Sequence, residues 1–560
     1  MADCQTDFYL PAILRNLAVR SQCDAAKRFE ERCTIWAEIL LVAAIKFKLS
    51  RKVFELAACY CDRLDLPINF DPRIYAAAAL ILAARFLGTK LDGKALVAGF
   101  APPLDWDEVA EAVSLIVDTL AFDFGQPVVV DFFALYRAGG SLSRTEQTTA
   151  ALYSDVALFA KRMGDVASLD VAVVCVALAR AINNPPAFWP AFRSLGCRSC
   201  DGALCRWRAV KILRTYEAIF ECRRSAPPQL FDSHKSSLPT LAQIGALRRF
   251  VESLPELAPA KAEAEPCVAT PLWITDKADY QKRKVLGEGA FGKVYEIDSA
   301  RGIRALKKYK HGLTRDFMQE TTVASAGASP FLLAAEAAGF DEQPLLIMER
   351  CETDLQHTIR HVWPPENTEE VLQQARGFAR DIVAALAYIH SLGLLHLDIK
   401  SNNFLICGGV AKLGDFGHSR WVLPPYEVTT DSVFVPHYRP PEHLLGLAVL
   451  RPSADLWAAG CIMIEMAARA NPFRAKSKEA VLAAILAKLG DPSPAEWASI
   501  AGGSERLRPD TGAARDPSVG ATGVLRTGES VAMAVAARWL RYDPDDRVPA
   551  VRLLADYFVP

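Results

Sequence analysis

No apolar run in this chain of 560 residues is longer than Ile74–Ala84, which Arg85 ends. A membrane-spanning helix needs about 20 apolar residues, so none is expected. Charge of one sign is also missing: 64 Lys and Arg face 65 Asp and Glu, a net of −1. A dedicated nucleic-acid binder would carry a strong basic excess, so direct nucleic-acid binding is not expected. Met1-Ala2-Asp3-Cys4 brings neither a basic flank nor a following apolar block, so no secretory leader is read. These absences point to an intracellular chain, nuclear or cytoplasmic, that is neither secreted nor transmembrane. Gln281-Lys282-Arg283-Lys284 is too short to decide between the two compartments.

Apolar residues, at 51%, are plentiful enough for several cores. At roughly 100–200 residues per domain, the length implies three to five folding units. The 14 cysteines are scattered, which suits reduced thiols. Cys197, Cys200 and Cys205 include a CxxC pair that could hold zinc, but a fourth ligand at suitable spacing is missing.

From residue 28 to about 222, apolar residues recur at helical spacing in Ile35–Phe47, Val53–Leu64, Ile74–Leu87, Trp106–Leu120, Thr149–Arg162 and Ser168–Ile182. Strand-like alternation is nearly absent there, so an all-α domain of about ten helices is expected. Residues 224–277 read as a linker, Ala-, Glu- and Pro-rich, with one amphipathic stretch at Leu241–Leu254. After Tyr280 come β-like segments at Lys284–Leu286, Lys293–Ile297, Ile303–Lys307 and Pro344–Met348, followed by a helical half. That order predicts an α+β domain with a sheet-rich front and a helix-rich back.

The front opens on Gly287-Glu288-Gly289-Ala290-Phe291-Gly292. Alone, a GxGxxG turn is a weak signal, open to a dinucleotide-binding turn or to a phosphate-covering hairpin. The β-like segment after it favours the hairpin. Next come Ala305-Leu306-Lys307, Glu320, His396-Leu397-Asp398-Ile399-Lys400-Ser401-Asn402-Asn403, Asp415-Phe416-Gly417, Pro440-Pro441-Glu442 and Asp455-Leu456-Trp457. In this order and spacing, residues 278–560 resemble the protein kinase family, with lobes at about 278–350 and 351–560. Tyr438-Arg439 before Pro440, Leu489-Gly490-Asp491-Pro492 and Tyr542-Asp543-Pro544 resemble the cyclin-dependent kinases most closely.

The resemblance implies ATP, Mg²⁺ and protein substrates. Asp398 would accept the substrate hydroxyl proton, Lys400 would neutralise the γ-phosphate, and Asn403 and Asp415 would hold the metal. Leu286, Gly287, Gly289, Gly292, Val294, Ala305, Lys307, Glu320, Met348, Glu349, Cys351, Asp354 and Leu405 would line the nucleotide site. Glu349 and Cys351 would bind adenine through their backbone, with Met348 as gatekeeper and Asp354 near the ribose. Lys400 marks serine/threonine rather than tyrosine specificity. Phe416, Trp457 and Gly460 would pack, and Glu442 with Arg547 would form a buried ion pair. A catalytically weak or inactive scaffold is the alternative.

Several regulatory positions depart from the family. Thr430 falls at the activating threonine, whose phosphate is usually clamped by three arginines. Arg420 remains, but Leu397 and Gln319 replace the other two, and neither can bind a phosphate by charge-assisted hydrogen bonds. Phosphorylation of Thr430 is therefore expected to be dispensable. Arg439 is the remaining candidate regulatory residue. Ala290-Phe291 has no hydroxyl where an inhibitory Thr-Tyr pair often stands. Val435 replaces a threonine that usually contacts the catalytic base, so selection of a proline after the target residue is an open expectation. Ala324 offers less support to the Glu320 helix than the usual larger residue.

In the helical half, Phe47–Leu64, Leu80–Phe86 and Leu120–Phe133 resemble a cyclin box, and Thr149–Ala218 resembles a second, divergent repeat. A multi-domain chain follows: an extension at 1–27, two cyclin-like five-helix repeats at 28–145 and 146–223, the linker, and a bilobal kinase. Arg85 and Glu111 are the candidate cyclin–kinase contact residues. The resemblance implies an intramolecular activator, or an exchange in which one chain's cyclin serves another's kinase. The competing reading is a helical interaction domain that binds a different kinase or a transcription factor.

Overall fold

The computed structural model describes most of residues 39–158 and 168–185, parts of 209–216, residues 239–253, and 272–558 with breaks chiefly at 275–279, 290–291, 326–328, 423–435 and 502–530. The chain divides near residue 269 into two compact units.

Among the described residues the N-terminal unit is wholly helical: α1 Arg51–Asp62, α2 Pro72–Leu87, α3 Gly93–Ala98, α4 Trp106–Thr119, α5 Arg144–Leu158, α6 Ser168–Ala181 and α7 Leu241–Ser253. The longest apolar run of the chain becomes α2. Asp71 caps its first turn by accepting from the Arg73 amide, Pro72 starts it, and Gly88 ends it at φ 70°. Ala76–Ala84 are all buried, as expected of a helix that is apolar all round, and α2 packs against α1 and α4. Tyr60 donates to the Phe124 carbonyl at 2.7 Å, and Glu55 accepts from the Val130 amide at 2.8 Å, tying α1 to the chain beyond α4.

Two features lie inside the stretch that reads as a linker. Tyr216 donates to the Pro239 carbonyl at 2.8 Å, Arg214 reaches Glu252 at 2.8 Å, and Gln243 donates to Asn183 at 2.8 Å. Helix α7 is therefore part of the helical unit. Further on, Leu272–Ile274 forms strand β1, which belongs to the second unit.

The second unit opens with β1 and continues through β2 Tyr280–Glu288, β3 Gly292–Ser299, β4 Gly302–Tyr309, α8 Arg315–Ser325, β5 Ala335–Asp341 and β6 Gln343–Glu349. The sheet order is β1-β5-β6-β4-β3-β2, with β1 parallel to β5 and the other pairs antiparallel. Registers Val294↔Lys307 and Ala305↔Met348 place these four residues on one face. The opposite face buries Ile297, Leu306, Leu345 and Ile347. Strand β5 escapes detection in the sequence because Ala335, Ala337 and Ala338 lack the β-branched bulk that marks strands.

The helix-rich lobe runs through β7 Thr353–Asp354, α9 Glu369–Ser391, β8 Leu394–Leu395, β9 Phe404–Cys407, β10 Val410–Leu413, β11 Arg420–Trp421, α10 Pro441–Leu444 and α11 Pro452–Ala468. It ends in α12 Lys478–Leu489, α13 Pro494–Ala501, α14 Val531–Trp539 and α15 Ala550–Tyr557. Thr368 caps α9 and Glu369 and Glu370 fill its first turn, where the helix dipole favours acids. One continuous core joins α9, α11, α12 and α14. Trp457 is fully buried there and stacks on Phe473 at 5.8 Å, and a Cβ on Gly460 would meet Leu540 at 3.0 Å. Both are packing positions, as expected.

Arg547, with no exposed surface, forks onto both carboxylate oxygens of Glu442 at 2.7 and 2.8 Å. It also donates to the Ser453 carbonyl at 3.0 Å, so one guanidinium joins α10, the start of α11 and the segment before α15. Removing one partner of such a pair strands a buried charge. Glu442→Ala is expected to lower unfolding free energy by about 3–5 kcal/mol in denaturant titration. A loss below about 1 kcal/mol would show that the pair does not join these elements.

Candidate active site

Two charge clusters form the centre of the second unit. In the first, Lys307 of β4 lies 2.6 Å from Glu320 of α8 and 2.9 Å from Asp415, just beyond β10. Strand register aims Lys307 off the sheet, and α8 presents Glu320 one turn inside its buried face. Asp415 adopts a left-handed backbone at φ 62°, and the 3₁₀ turn Phe416–His418 that follows packs on α8. Gly417 is needed for that packing: a Cβ there would meet Asp316 at 3.0 Å and Glu320 at 3.4 Å.

Burial penalises every charge in this cluster, and the balance differs for each. Burial draws the Lys307 pKa down, but its two carboxylate partners outweigh that and leave it raised. Burial pushes Glu320 up to about 7, because the Asp415 charge adds to the penalty and Lys307 only partly offsets it. For Asp415 the lysine wins over burial and holds the carboxyl down at about 2.

The second cluster is the loop between β8 and β9. Lys400 lies 2.6 Å from Asp398, and the Asn403 amide donates to the Asp398 carbonyl at 2.8 Å and its carboxylate at 3.2 Å. Its backbone is anchored by Asp455, a fully buried acid on α11. That carboxylate accepts the His396 and Leu397 amides, each at 2.9 Å, and lies 3.1 Å from His390. Leu397 itself is left-handed at φ 64°, a conformation a non-glycine residue holds only when its surroundings enforce it. The anchoring role of Asp455 was not read from the sequence. The signal available was an acid near the start of a mostly apolar helix. His396 stacks edge-on to Phe416 at 5.0 Å and bonds the Gly414 carbonyl at 3.0 Å, joining the two clusters.

The other expected nucleotide residues surround these clusters. Gly292 is sterically required, because a Cβ would stand 2.3 Å from the Lys308 carbonyl oxygen. Gly287 and Gly289 face open space, which leaves their backbone approachable. Val294, Ala305 and Met348 share the Lys307 face, whereas Leu286 is exposed at the end of β2. Leu405 pairs with Asp354 across β9 and β7. Asp354 caps the turn Leu355–His357 by accepting the His357 amide at 2.8 Å, and the Glu349 side chain pairs with Lys412.

Three other expectations have outcomes here. Leu397 is fully buried with Leu395 and Ala454, so its side chain is committed to apolar packing. Arg420 donates to the His418 and Ser419 carbonyls, and Arg439 is buried. Thr430 and Val435 lie outside the described residues, as do Ala290, Phe291, Cys197, Cys200 and Cys205. Among the described residues no group of three or more His, Cys, Asp or Glu could hold a metal ion, and no helix is long and apolar enough to cross a membrane.

The expectation of reduced thiols needs correction at one place: Cys351 and Cys407 form a disulfide. They are 56 residues apart, and the pairing of β7 with β9 brings their segments together. Cys461, buried in α11, is a free thiol.

The family model for the protein kinase domain matches residues 280–559. Cyclin-dependent kinase D-1 of Oryza sativa subsp. indica is 33% identical over 230 residues, covering 39% of this chain and 53% of that protein. Cyclin-dependent kinase 7 of Xenopus laevis is 31% identical over 232 residues, 39% of this chain and 64% of the relative. Cell division control protein 2 homolog C of Antirrhinum majus is 28% identical over 294 residues, 48% of this chain and 93% of the relative. The chain spans about half the length of the first of these.

Ionisation of Glu320 has a consequence for pH. Protonating it removes one of the two charges holding Lys307, so ADP affinity is expected to fall as pH drops from about 8 to about 6. Stability moves the other way: a carboxyl whose folded pKa of about 7 exceeds its ordinary 4.5 adds stability as pH falls between those values. Calorimetric ADP titrations across this range check the first trend. An affinity independent of pH would contradict it.

Proposed function

Because this chain belongs to the protein kinase family, we propose that it is a serine/threonine kinase of cyclin-dependent type. It passes the γ-phosphate of ATP to protein hydroxyls. The observation that carries the reading is the joint assembly of the two clusters: Lys307 with Glu320 and Asp415, and Asp398 with Lys400 and Asn403. Phosphoryl transfer needs positioning and charge neutralisation, and these groups supply both. Asp398 takes the proton of the attacking hydroxyl, and Lys400 stands beside it to meet the transferred phosphate. Lys307 holds the inner phosphates, Gly287 and Gly289 cover them through backbone amides, and the Glu349–Cys351 backbone receives adenine.

Asp415 and Asn403 suit magnesium. The first is held ionised, and the second turns its amide nitrogen to Asp398, leaving a hard oxygen donor. When bound, the ion would neutralise phosphate charge.

The helical unit acts as the activator within the same chain. Its central helix α2 is buried from Ala76 to Ala84, yet Arg85 emerges from it exposed, and Glu111 is exposed on the neighbouring α4. These two are the proposed contacts to the kinase. With α7 inside the helical unit, only residues 254–271 separate the units. So short a tether raises the effective concentration of activator to the millimolar range, where a weak interface suffices. Thr430 is not required, since buried Leu397 and Gln319 leave its phosphate without two of its usual arginines.

The test is phosphorylation of a basic Ser/Thr peptide by purified full-length protein with ATP and Mg²⁺. Asp398→Asn is expected to lower kcat by roughly a hundredfold or more. Thr430→Ala is expected to stay within about threefold of wild type, and a hundredfold loss would refute its dispensability. Equal activity in wild type and Asp398→Asn would favour the scaffold reading.

Deleting residues 1–253, the helical unit with its α7, is expected to lower activity more than about tenfold, with partial rescue by the separate 1–253 fragment at high concentration. An equally active fragment would exclude the intramolecular activator. Mass measurement of the full chain separates activation within one chain from exchange between chains.

A further inference from the structure

The disulfide joins two places that the proposed reaction uses differently. Cys351 follows β6 in the hinge between the lobes, and Cys407 ends β9. Beyond Cys407 the chain turns at Gly408 and Gly409, with φ 58° and 80°, into β10, which delivers Asp415. Several non-covalent ties run beside the bond. The Glu352 amide donates to the Ile406 carbonyl at 2.9 Å, the Gly408 amide donates to the Glu352 carboxylate at 3.2 Å, and Lys412 pairs with Glu349. Thr353 and Asp354 pair with Ile406 and Leu405.

The bond is not needed to build the fold. The lobe has a large apolar core, unlike the small domains that depend on disulfides. The parallel ties hold the same segments with the bond open. Cys351 is half-buried at the wall of the nucleotide site, while Cys407 is buried beneath it. That is the arrangement of an accessible attacking thiol with a sheltered resolving thiol.

We propose that Cys351 and Cys407 form a reversible thiol–disulfide site that sets nucleotide affinity according to the supply of small disulfides of the oxidised-glutathione class. The Cys351 thiolate attacks one sulfur of the small disulfide, forming a mixed disulfide and releasing one thiol. The Cys407 thiolate then attacks the Cys351 sulfur and releases the second thiol. Two protein thiols are oxidised, one small disulfide is reduced to two thiols, and the two protein protons pass to the leaving thiolates.

In the bonded state the backbone of Cys351 is fixed against β9, which lowers the cost of ordering the hinge around adenine. Opening the bond leaves the lobe folded and the hinge looser. The effect on nucleotide affinity rests on the nucleotide-site reading above; the exchange itself does not.

The experiment equilibrates the full chain in buffers of varied oxidised to reduced glutathione, then quenches, alkylates and digests. Mass spectrometry should find the Cys351–Cys407 cross-linked peptide under oxidised glutathione and both peptides alkylated under the reduced form. ADP with Mg²⁺ should bind roughly three- to tenfold tighter in the cross-linked state. Cys407→Ser should bind ADP like the reduced wild type in reducing buffer, with an unchanged melting temperature there, and under oxidised glutathione should carry the unresolved mixed disulfide on Cys351 in place of the cross-link.

Full alkylation of both cysteines under oxidised glutathione would overturn the site. A cross-link with equal ADP affinity in both states would overturn its control of binding. Failure to bind ADP in either state, with the cross-link present, would overturn the nucleotide reading and the affinity effect while leaving the exchange standing.

Discussion

A lysine ammonium removed from water must be given opposite charge, and the second unit is arranged around meeting that need at Lys307. Its two carboxylates come from separate elements, the helix α8 and the turn beyond β10. Bringing both within reach fixes the height of β4 in the sheet, the rotation of α8 and the left-handed backbone of Asp415. Glycine at 417 is then obligatory, because the turn must lie against α8 without a side chain between them. The helix-rich lobe repeats the principle with reversed sign. Asp455, buried in α11, is satisfied by main-chain amides of the loop carrying Asp398. In each lobe one buried charge organises the backbone that bears the chemistry.

Most of the second unit's site was legible in the sequence. Lys307, Glu320, Asp398, Lys400, Asn403 and Asp415 are reactive types at fixed intervals, and the structure gathers them into two clusters. The sheet registers could be anticipated only where β-branched residues marked the strands; the alanines of β5 hid it. Contacts between distant positions were not legible. The partners of Asp455 lie 58 and 59 residues away, and the spacing of Cys351 and Cys407 carries no sign of their bond. In the helical unit helical spacing located α1, α2, α4, α5, α6 and α7, and it could not say which exposed positions matter.

The departure at Leu397 shows how one substitution changes the character of a loop. Arginine at this place would bring a charged side chain, as the resemblance to the cyclin-dependent kinases implies. Leucine turns into an apolar cluster with Leu395 and Ala454 instead, while Asp455 still holds its amide. The strained backbone and the position of Asp398 are kept, and the charge that would read a phosphate is gone. Backbone anchoring and side-chain packing are separable here because they reside in different atoms of Leu397.

Strand β1 is three residues long, and it pairs along the free side of β5. Without it, β5 would present a row of unpaired amides and carbonyls backed by small side chains, the kind of border on which another polypeptide can add a strand. The segment before β2 thus covers that border of the sheet. A recombinant kinase fragment that begins at Tyr280 would have every catalytic group and yet be prone to aggregate, whereas one that begins upstream of Leu272 would keep that border closed.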